Sequence, residues 1–233
     1  MNCNIELQEI VPQIFCLLYS DQYFLTSTFA RIQEFSEYTF STPCFSLEEF
    51  LDSCYKKYGK ISYFEDWSGF NVPLDILIEF FKCYKKYNLP LLQKEQFLYN
   101  IIEKDIFPII EKGKEYYIIG IYNKEDINHE ISHGLYELSD EYKTHMMHLI
   151  KNHKYYEEIK KWVENIGYTN NHNLLINEAQ AYLSTSTLNY LKTMGYKRKW
   201  KYPTEIKQYF KQFKKEWSEN NDYILNDIYI YKF

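Results

Sequence analysis

Glycine and proline are scarce in this chain, with 7 and 6 residues respectively among 233. Barrels and sandwiches made only of strands need frequent turns, and those turns are built mostly from these two residue types. Hydrophobic residues make up 45% of the chain and aromatic residues 19%, which is ample material for a large core and excludes a disordered chain. We therefore expect an α+β fold that is mostly helical.

Cysteine is also limited, and its pattern excludes two kinds of site. The five cysteines are an odd number, all precede position 84, and include no C-x-x-C pair. A disulfide framework or a cysteine-ligated zinc site would need paired or closely spaced cysteines. The pattern predicts buried, reduced cysteines, as is typical of a cytoplasmic protein.

Long apolar runs are missing from the chain. The stretch Ile10–Tyr19 is too short and too interrupted to cross a bilayer, and no positively charged segment precedes it. We therefore expect no membrane segment, no signal peptide and no membrane partner. The predicted localisation is cytoplasmic, and export by a route without such signals is left open.

Positive charge is not in excess either. The net charge is −5, and Arg31 and Arg198 are the only arginines. One basic stretch, Lys192–Lys201, contains Tyr196 and Trp200, and its favoured interpretation is a solvated helix end followed by a loop. The charge balance therefore gives no support for a nucleic-acid partner.

One short motif carries most of the chemistry in this sequence. Within Asp126–Leu138, the residues His129, Glu130 and His133 spell H-E-x-x-H. On a helix, positions four apart differ by about 40° around the axis and about 6 Å along it, so both imidazoles project from one face. That arrangement suits two nitrogen ligands of one Zn²⁺. Glu130, about 100° round the helix, can reach a water on the metal as a general base.

The context of the motif favours a helix. An apolar, β-branched run, Tyr116–Tyr122, precedes it as a predicted strand, and Asp126 is a good N-cap. We predict the motif helix over residues 126–150, with a break near Ser139. The alternative interpretation is a surface helix that carries two solvated histidines.

A catalytic zinc usually has three protein ligands, so a third is expected elsewhere. Glu178 is the strongest candidate, because it lies near the start of a later helix among apolar and alanine residues. A buried carboxylate is costly unless it is paired or bound to a metal. The alternative is an exposed glutamate that the helix dipole favours at a helix start.

Together, H-E-x-x-H on one helix and Asn177-Glu178 on a later one resemble the gluzincin class of zinc metallopeptidases, the thermolysin-like arrangement. The resemblance implies a zincin-like core with a small sheet and an active-site helix. It also implies that His129, His133 and Glu178 bind Zn²⁺ and that Glu130 is the catalytic base. The implied substrate is a peptide or protein.

This sequence differs from the gluzincin pattern near the third ligand. The aspartate that follows the glutamate ligand by four residues in those enzymes is Tyr182 here, so Glu137 or Asp140 is expected to contact a histidine ligand instead. Tyr182 is the predicted donor to the reacting oxygen, and Tyr136 and His172 are alternatives. A third ligand from His145, His148, His153 or His172 is disfavoured, because each fits a solvated surface position better.

For domain organisation, we predict a helical part of unknown role in residues 1–110, as a cleft wall or lid, and a zincin-like catalytic part in residues 111–233. The absence of linkers and repeats favours one continuous unit. The strand Glu115–Tyr122 is expected to line the cleft and pair with an extended peptide. The loop Glu65–Asn71, with Trp67 and Phe70, is either a lid or, preferably, a connector whose aromatic rings pack on the core.

Three functions stay open at this point. The first is a zinc-dependent endopeptidase that hydrolyses peptide bonds with a metal-bound water and the assistance of Glu130. The second is a non-catalytic binding or structural protein that retains a zincin-like scaffold. The third is a metal-dependent hydrolase that acts on something other than peptides.

Overall fold

The structure, a computed structural model, describes residues 3–36, 44–59, 65, 67–168, 171–197, 200 and 204–233. The fold is α+β and mostly helical, with one small mixed sheet of five strands. It divides into two compact units: residues up to Ile127 together with Tyr223–Phe233, and Asn128–Asp222. The sequence-based division near residue 110, within one continuous unit, stays a prediction.

The sheet belongs to the first unit and has the strand order β3-β4-β2-β1-β5. Strands β1 and β2 form an antiparallel hairpin, β2 and β4 run parallel, and the remaining pairs are antiparallel. Because β4 is paired on both edges, the expectation that this strand pairs with an extended peptide is wrong. The strands are β1 (Asn4–Val11), β2 (Ile14–Tyr19), β3 (Gly69–Pro73), β4 (Tyr117–Ile121) and β5 (Tyr229–Lys232).

The hairpin corrects the expectation that the first part of the chain is helical. Burial alternates along β1, which is the two-residue period of a strand with one face on the core. In β2 nearly every residue is buried, so its apolar run gives no period to distinguish strand from helix. The turn between them takes Gln13 to φ 72°, and the Glu9 carboxylate accepts the Gln13 N–H at 2.7 Å.

Among the described residues of the first unit, four helices pack around its hydrophobic core. Helix α1 lies against β2, β3 and β4, and Gly120 of β4 allows this approach. A Cβ at Gly120 would lie 2.6 Å from Phe29 Cε2 and 2.9 Å from Leu25 Cδ1, so a larger residue would displace the helix. The helices are α1 (Gln22–Ser36), α2 (Leu47–Tyr58), α3 (Leu74–Lys86) and α4 (Gln93–Ile101), which continues as a π-turn over Ile102–Ile106.

Local signals in the sequence account for several of these boundaries. A capping box of Ser46 and Glu49 starts α2, and Gly59 ends it with φ 69°. Phe70 lies buried in β3, and Trp67 packs against the core, so this segment is a connector. The end of the basic stretch, at 198–199 and 201, lies outside the described residues.

A buried ion pair fixes α1 to the start of α4. Arg31 Nε donates to Glu95 Oε1 at 2.8 Å, and the same carboxylate accepts the Leu92 N–H at 2.8 Å. The structure also joins Cys44 to Cys83 as a disulfide, with a Cα–Cα distance of 6.3 Å, so the prediction of reduced cysteines is wrong for this pair. Cys3, Cys16 and Cys54 carry thiols and are buried, as predicted.

The described residues of the second unit form helices and the turns that join them. Its central helix, α8, packs against α6, α7 and α10. The predicted motif helix breaks where expected: Ser139 ends α5, and its hydroxyl accepts the Tyr142 N–H at the start of α6. The helices are α5 (Ile127–Leu138), α6 (Asp140–Lys151), α7 (Tyr156–Asn165), α8 (His172–Thr185), α9 (Leu188–Thr193) and α10 (Thr204–Asn220).

Helix length and composition also bear on membrane insertion. Among the described residues, no helix combines the length and the apolar character that are needed to cross a bilayer.

Candidate metal centre

Helix α5 brings His129 and His133 side by side. Their ring centroids are 4.8 Å apart with the planes at 76°, and their Nε2 atoms are 3.2 Å apart. Two ligands bound at 2.0–2.1 Å to a tetrahedral Zn²⁺ are about 3.3 Å from each other. The helical spacing therefore holds the two nitrogens at the separation that one metal ion requires.

Helix α8 supplies the predicted third donor from across the same unit. Glu178 Oε2 lies 3.8 Å from His129 Nε2, and Glu178 Oε1 lies 3.7 Å from His133 Nε2. The three donor atoms all lie within 4.8 Å of one another. His133 and Glu178 are only 2% and 7% exposed, so this carboxylate is buried and not an exposed group at a helix start.

The environment keeps both imidazoles neutral near pH 7. Burial lowers the pKa of His129 well below its usual value, and the neighbouring His133 lowers it further. Burial also lowers the pKa of His133 to about 4, against the opposing effect of its hydrogen bond to Asn177. Neutral imidazoles are the form that binds a metal, so the ring nitrogens are prepared for ligation.

Glu130 and Tyr182 lie in the same neighbourhood. Glu130 is 5% exposed on α5, and its charge acts on the Tyr182 hydroxyl. Tyr182 follows Glu178 by one helical turn, and its ring packs edge-on against His129 with the centroids 4.6 Å apart. Burial, followed by the charge of Glu178, raises the pKa of Tyr182, so its hydroxyl stays protonated and can donate.

Tyr168 is a member of this cluster that sequence reasoning missed. Its hydroxyl hydrogen bonds to Glu178 and lies 3.3 Å from the Tyr182 hydroxyl. Burial and then the charge of Glu178 raise its pKa well above the usual value. It is one of 25 tyrosines and lies outside the helices, so no pattern in the sequence distinguishes it.

The contact expected from Glu137 or Asp140 to a histidine ligand comes instead from Asn177. Asn177 Oδ1 is 2.9 Å from His133 Nδ1. Glu137 lies one step further out, because its Oε1 accepts from Asn177 Nδ2 at 3.4 Å. Asp140 is exposed at the start of α6, and no hydrogen bond or ion pair joins it to the cluster within the described residues.

The alternative donors lie elsewhere in the second unit. Tyr136 is buried beneath the ammonium group of Lys143. His172 is exposed, with Tyr156 Oη 3.4 Å from its Nδ1, and His145 stacks on Tyr209. Of all histidine, cysteine, aspartate and glutamate side chains in the described ranges, only His129, His133 and Glu178 form a group that could hold a metal ion.

Comparison with known proteins adds no relative. No protein-family model, curated protein or solved structure matches this chain. The likeness to gluzincins is therefore confined to the motif residues, and membership of that class stays a prediction.

Proposed function

We propose that this chain is a zinc-dependent peptidase of the gluzincin class, built on a zincin-like core. The observation that carries the proposal is the convergence of His129, His133 and Glu178 from two helices. Two imidazole nitrogens and one carboxylate oxygen are the donor set of a hydrolytic zinc site. The chemistry of these donors therefore fits Zn²⁺.

The number of donors supports a catalytic site over a structural one. Structural zinc sites are closed by four protein ligands, whereas catalytic sites use three and leave one position for water or substrate. Three donors converge among the described residues, and none of them is a thiolate. A buried carboxylate between two neutral imidazoles is also costly without a cation to compensate it.

The roles of the remaining residues follow from their positions. Bound Zn²⁺ supplies Lewis-acid chemistry, acidifying water and polarising a carbonyl group. Glu130 takes a proton from the attacking water and passes it to the leaving amine. The protonated Tyr182 hydroxyl, beside His129, donates to the negative charge that develops on the carbonyl oxygen.

Glu130→Gln tests this assignment. The variant should lose hydrolysis of a mixed peptide library, because an amide cannot accept the proton, yet retain its zinc in elemental analysis. Glu141→Gln, an exposed glutamate of α6, is the matched control and should keep full activity. Full hydrolysis by the Glu130 variant would refute its role as the base.

One observation favours the non-catalytic alternative. The strand that precedes the motif helix has both edges paired within the sheet, so it offers no edge to an extended peptide. Stoichiometric zinc with no hydrolysis that depends on Glu130, across peptide and ester substrates, would favour a binding protein with a zincin-like site. Hydrolysis of esters alone would favour a hydrolase for other substrates.

A further inference from the structure

A chain of hydrogen bonds leads from Tyr142 through Gln180 and Asn177 to His133. Two groups that can only accept hydrogen bonds fix the ends of this chain and determine which of its atoms donate. From it we infer that Gln180 and Tyr142 are positioning residues that hold His133 in one ring tautomer, with the proton on Nδ1 and a bare Nε2. The tautomer itself does not depend on the proposed function. Only the role of the bare Nε2 as a metal ligand rests on that function.

The first fixed end is a backbone carbonyl. Gln180 Nε2 lies 3.3 Å from the Ser132 carbonyl oxygen, which can only accept, so the NH₂ group of Gln180 must face it. Gln180 Oε1 then accepts from the Tyr142 hydroxyl at 3.1 Å. Burial raises the pKa of Tyr142 well above its usual value, so this donor keeps its proton.

The second fixed end is a carboxylate. Asn177 Nδ2 lies 3.4 Å from Glu137 Oε1, and an ionised carboxylate can only accept. This orients the Asn177 oxygen towards the interior, where Gln180 Nε2 donates to it at 3.1 Å. The two ends therefore agree on the same orientation of the Asn177 amide.

The tautomer of His133 follows from this orientation. Asn177 Oδ1 accepts from Gln180 with one lone pair, and its other neighbour, His133 Nδ1 at 2.9 Å, must carry the proton. A neutral imidazole has one ring proton, so Nε2 is bare. That atom lies 3.2 Å from His129 Nε2 and 3.7 Å from Glu178 Oε1, where the opposite tautomer would place a hydrogen in the space for the metal.

Burial makes the chain of hydrogen bonds hard to replace. Ser132, Gln180 and Tyr142 have no measurable exposure, so water does not offer substitute partners. Reversing the Gln180 amide would set its oxygen against the Ser132 carbonyl and the Asn177 oxygen at once. The direct partner of His133 Nδ1 is thus a neutral amide, in the position that a carboxylate occupies in many metal sites.

The tautomer can be read without any metal or substrate. Long-range ¹H–¹⁵N correlation spectra distinguish protonated from bare ring nitrogens, and the chain has only six histidines. In metal-free wild-type protein at neutral pH we expect His133 with a protonated Nδ1 and a bare Nε2. A His133→Gln spectrum assigns the signals, and a wild-type protein with the proton on Nε2 would overturn the inference.

Gln180→Met tests the positioning role directly. The variant keeps side-chain volume but removes the donor to Asn177, so we expect a mixture of tautomers and a zinc affinity about 10- to 100-fold weaker in competition with a chromophoric chelator. Gln212→Met, on the exposed side of α10, is the matched control and should change neither measurement. An unchanged tautomer and affinity in a folded Gln180 variant would contradict the inference.

Two more variants cover the case in which the Gln180 variant does not fold. Tyr142→Phe removes only the outer hydroxyl and should shift the tautomer in the same direction by a smaller amount, whereas an unchanged tautomer would count against this chain of hydrogen bonds. Asn177→Asp keeps an oxygen acceptor facing Nδ1, so it should preserve the wild-type tautomer. Because the tautomer is measured in metal-free protein, the absence of peptide hydrolysis would refute the proposed function and leave this inference standing.

Discussion

Glu178 shows the environment that the fold gives to a proposed metal ligand. Its carboxylate is 7% exposed and lies between two imidazoles whose pKa values are lowered. Tyr168 hydrogen bonds to the same carboxylate. A negative group in this setting is stable only with compensating partners, and a divalent cation is the strongest of these.

The charge of Glu178 should therefore control zinc binding. Glu178→Gln keeps the size of the side chain and removes its charge, and we expect the affinity for zinc to fall at least about tenfold. A competition titration with a chromophoric chelator measures this. Glu157→Gln, an exposed glutamate on α7, should bind zinc as wild type does. Equal affinities in the two variants would remove Glu178 from the ligand set.

Substitution of the two tyrosines near Glu178, Tyr182 and Tyr168, should affect different measurements. Tyr182→Phe removes the proposed donor to the reacting oxygen, so kcat should fall about 100- to 1000-fold while the zinc content stays constant. Tyr168→Phe removes a hydrogen bond to a proposed ligand. Zinc affinity should therefore fall more than kcat, when kcat is measured at saturating zinc. The reverse pattern would exchange the two assignments.

At the scale of elements, the close packing of α1 on the sheet depends on one glycine. Gly120→Ala would place a Cβ 2.6 Å from the Phe29 ring and force α1 outwards. We expect the free energy of unfolding to fall by about 1–3 kcal/mol, as is usual for overpacking. Urea denaturation measures the change, and a loss below about 0.5 kcal/mol would show that the ring moves aside freely.

Elements with strong local signals could be predicted from the sequence, and the others could not. The motif helix follows from its spacing and its end from Ser139, whereas Asp126, the expected N-cap, lies in a 3₁₀ turn, Lys124–Asp126, that precedes α5. Ser46, Glu49 and Gly59 account for the bounds of α2. The hairpin over residues 4–19 was not predicted, because its β2 half is an apolar run without a period, and the alternation along β1 was the only local signal for it.

The same distinction holds inside the candidate site. His129 and His133 are neighbours through helical spacing alone, and the apolar context of Glu178 indicated its burial. Asn177 and Tyr168 contact the cluster only because helices distant in sequence come together in the fold. Tertiary contacts of this kind leave no local pattern, so only the structure identifies them.

For the whole molecule, the two lowered histidine pKa values link stability to pH. In the folded, metal-free protein His133 protonates near pH 4, and in the unfolded chain near 6.5, so the unfolded state binds more protons between these values. Stability should therefore be full above about pH 6.5 and fall as the pH drops towards 4. His129, whose pKa is also lowered, acts in the same direction.

Urea denaturation of metal-free protein between pH 7.5 and 4 measures this dependence. The slope from each histidine approaches about 1.4 kcal/mol per pH unit within the window. A His129→Gln, His133→Gln double variant should lose this part of the slope, whereas the same slope in wild type and double variant would assign it to other groups. Added zinc should stabilise wild type at pH 7 and keep that effect until the pH approaches 4, where protons begin to compete for His133.

X-ray absorption spectroscopy of the zinc-loaded protein tests the central claim most directly. The account predicts a first shell of nitrogen and oxygen atoms only, at about 2.0–2.1 Å, with the multiple-scattering signature of two imidazole rings. In Glu178→Ala one oxygen should leave that shell while both imidazoles remain. A sulfur ligand at about 2.3 Å, fewer than two imidazoles, or no stoichiometric zinc at all would contradict it.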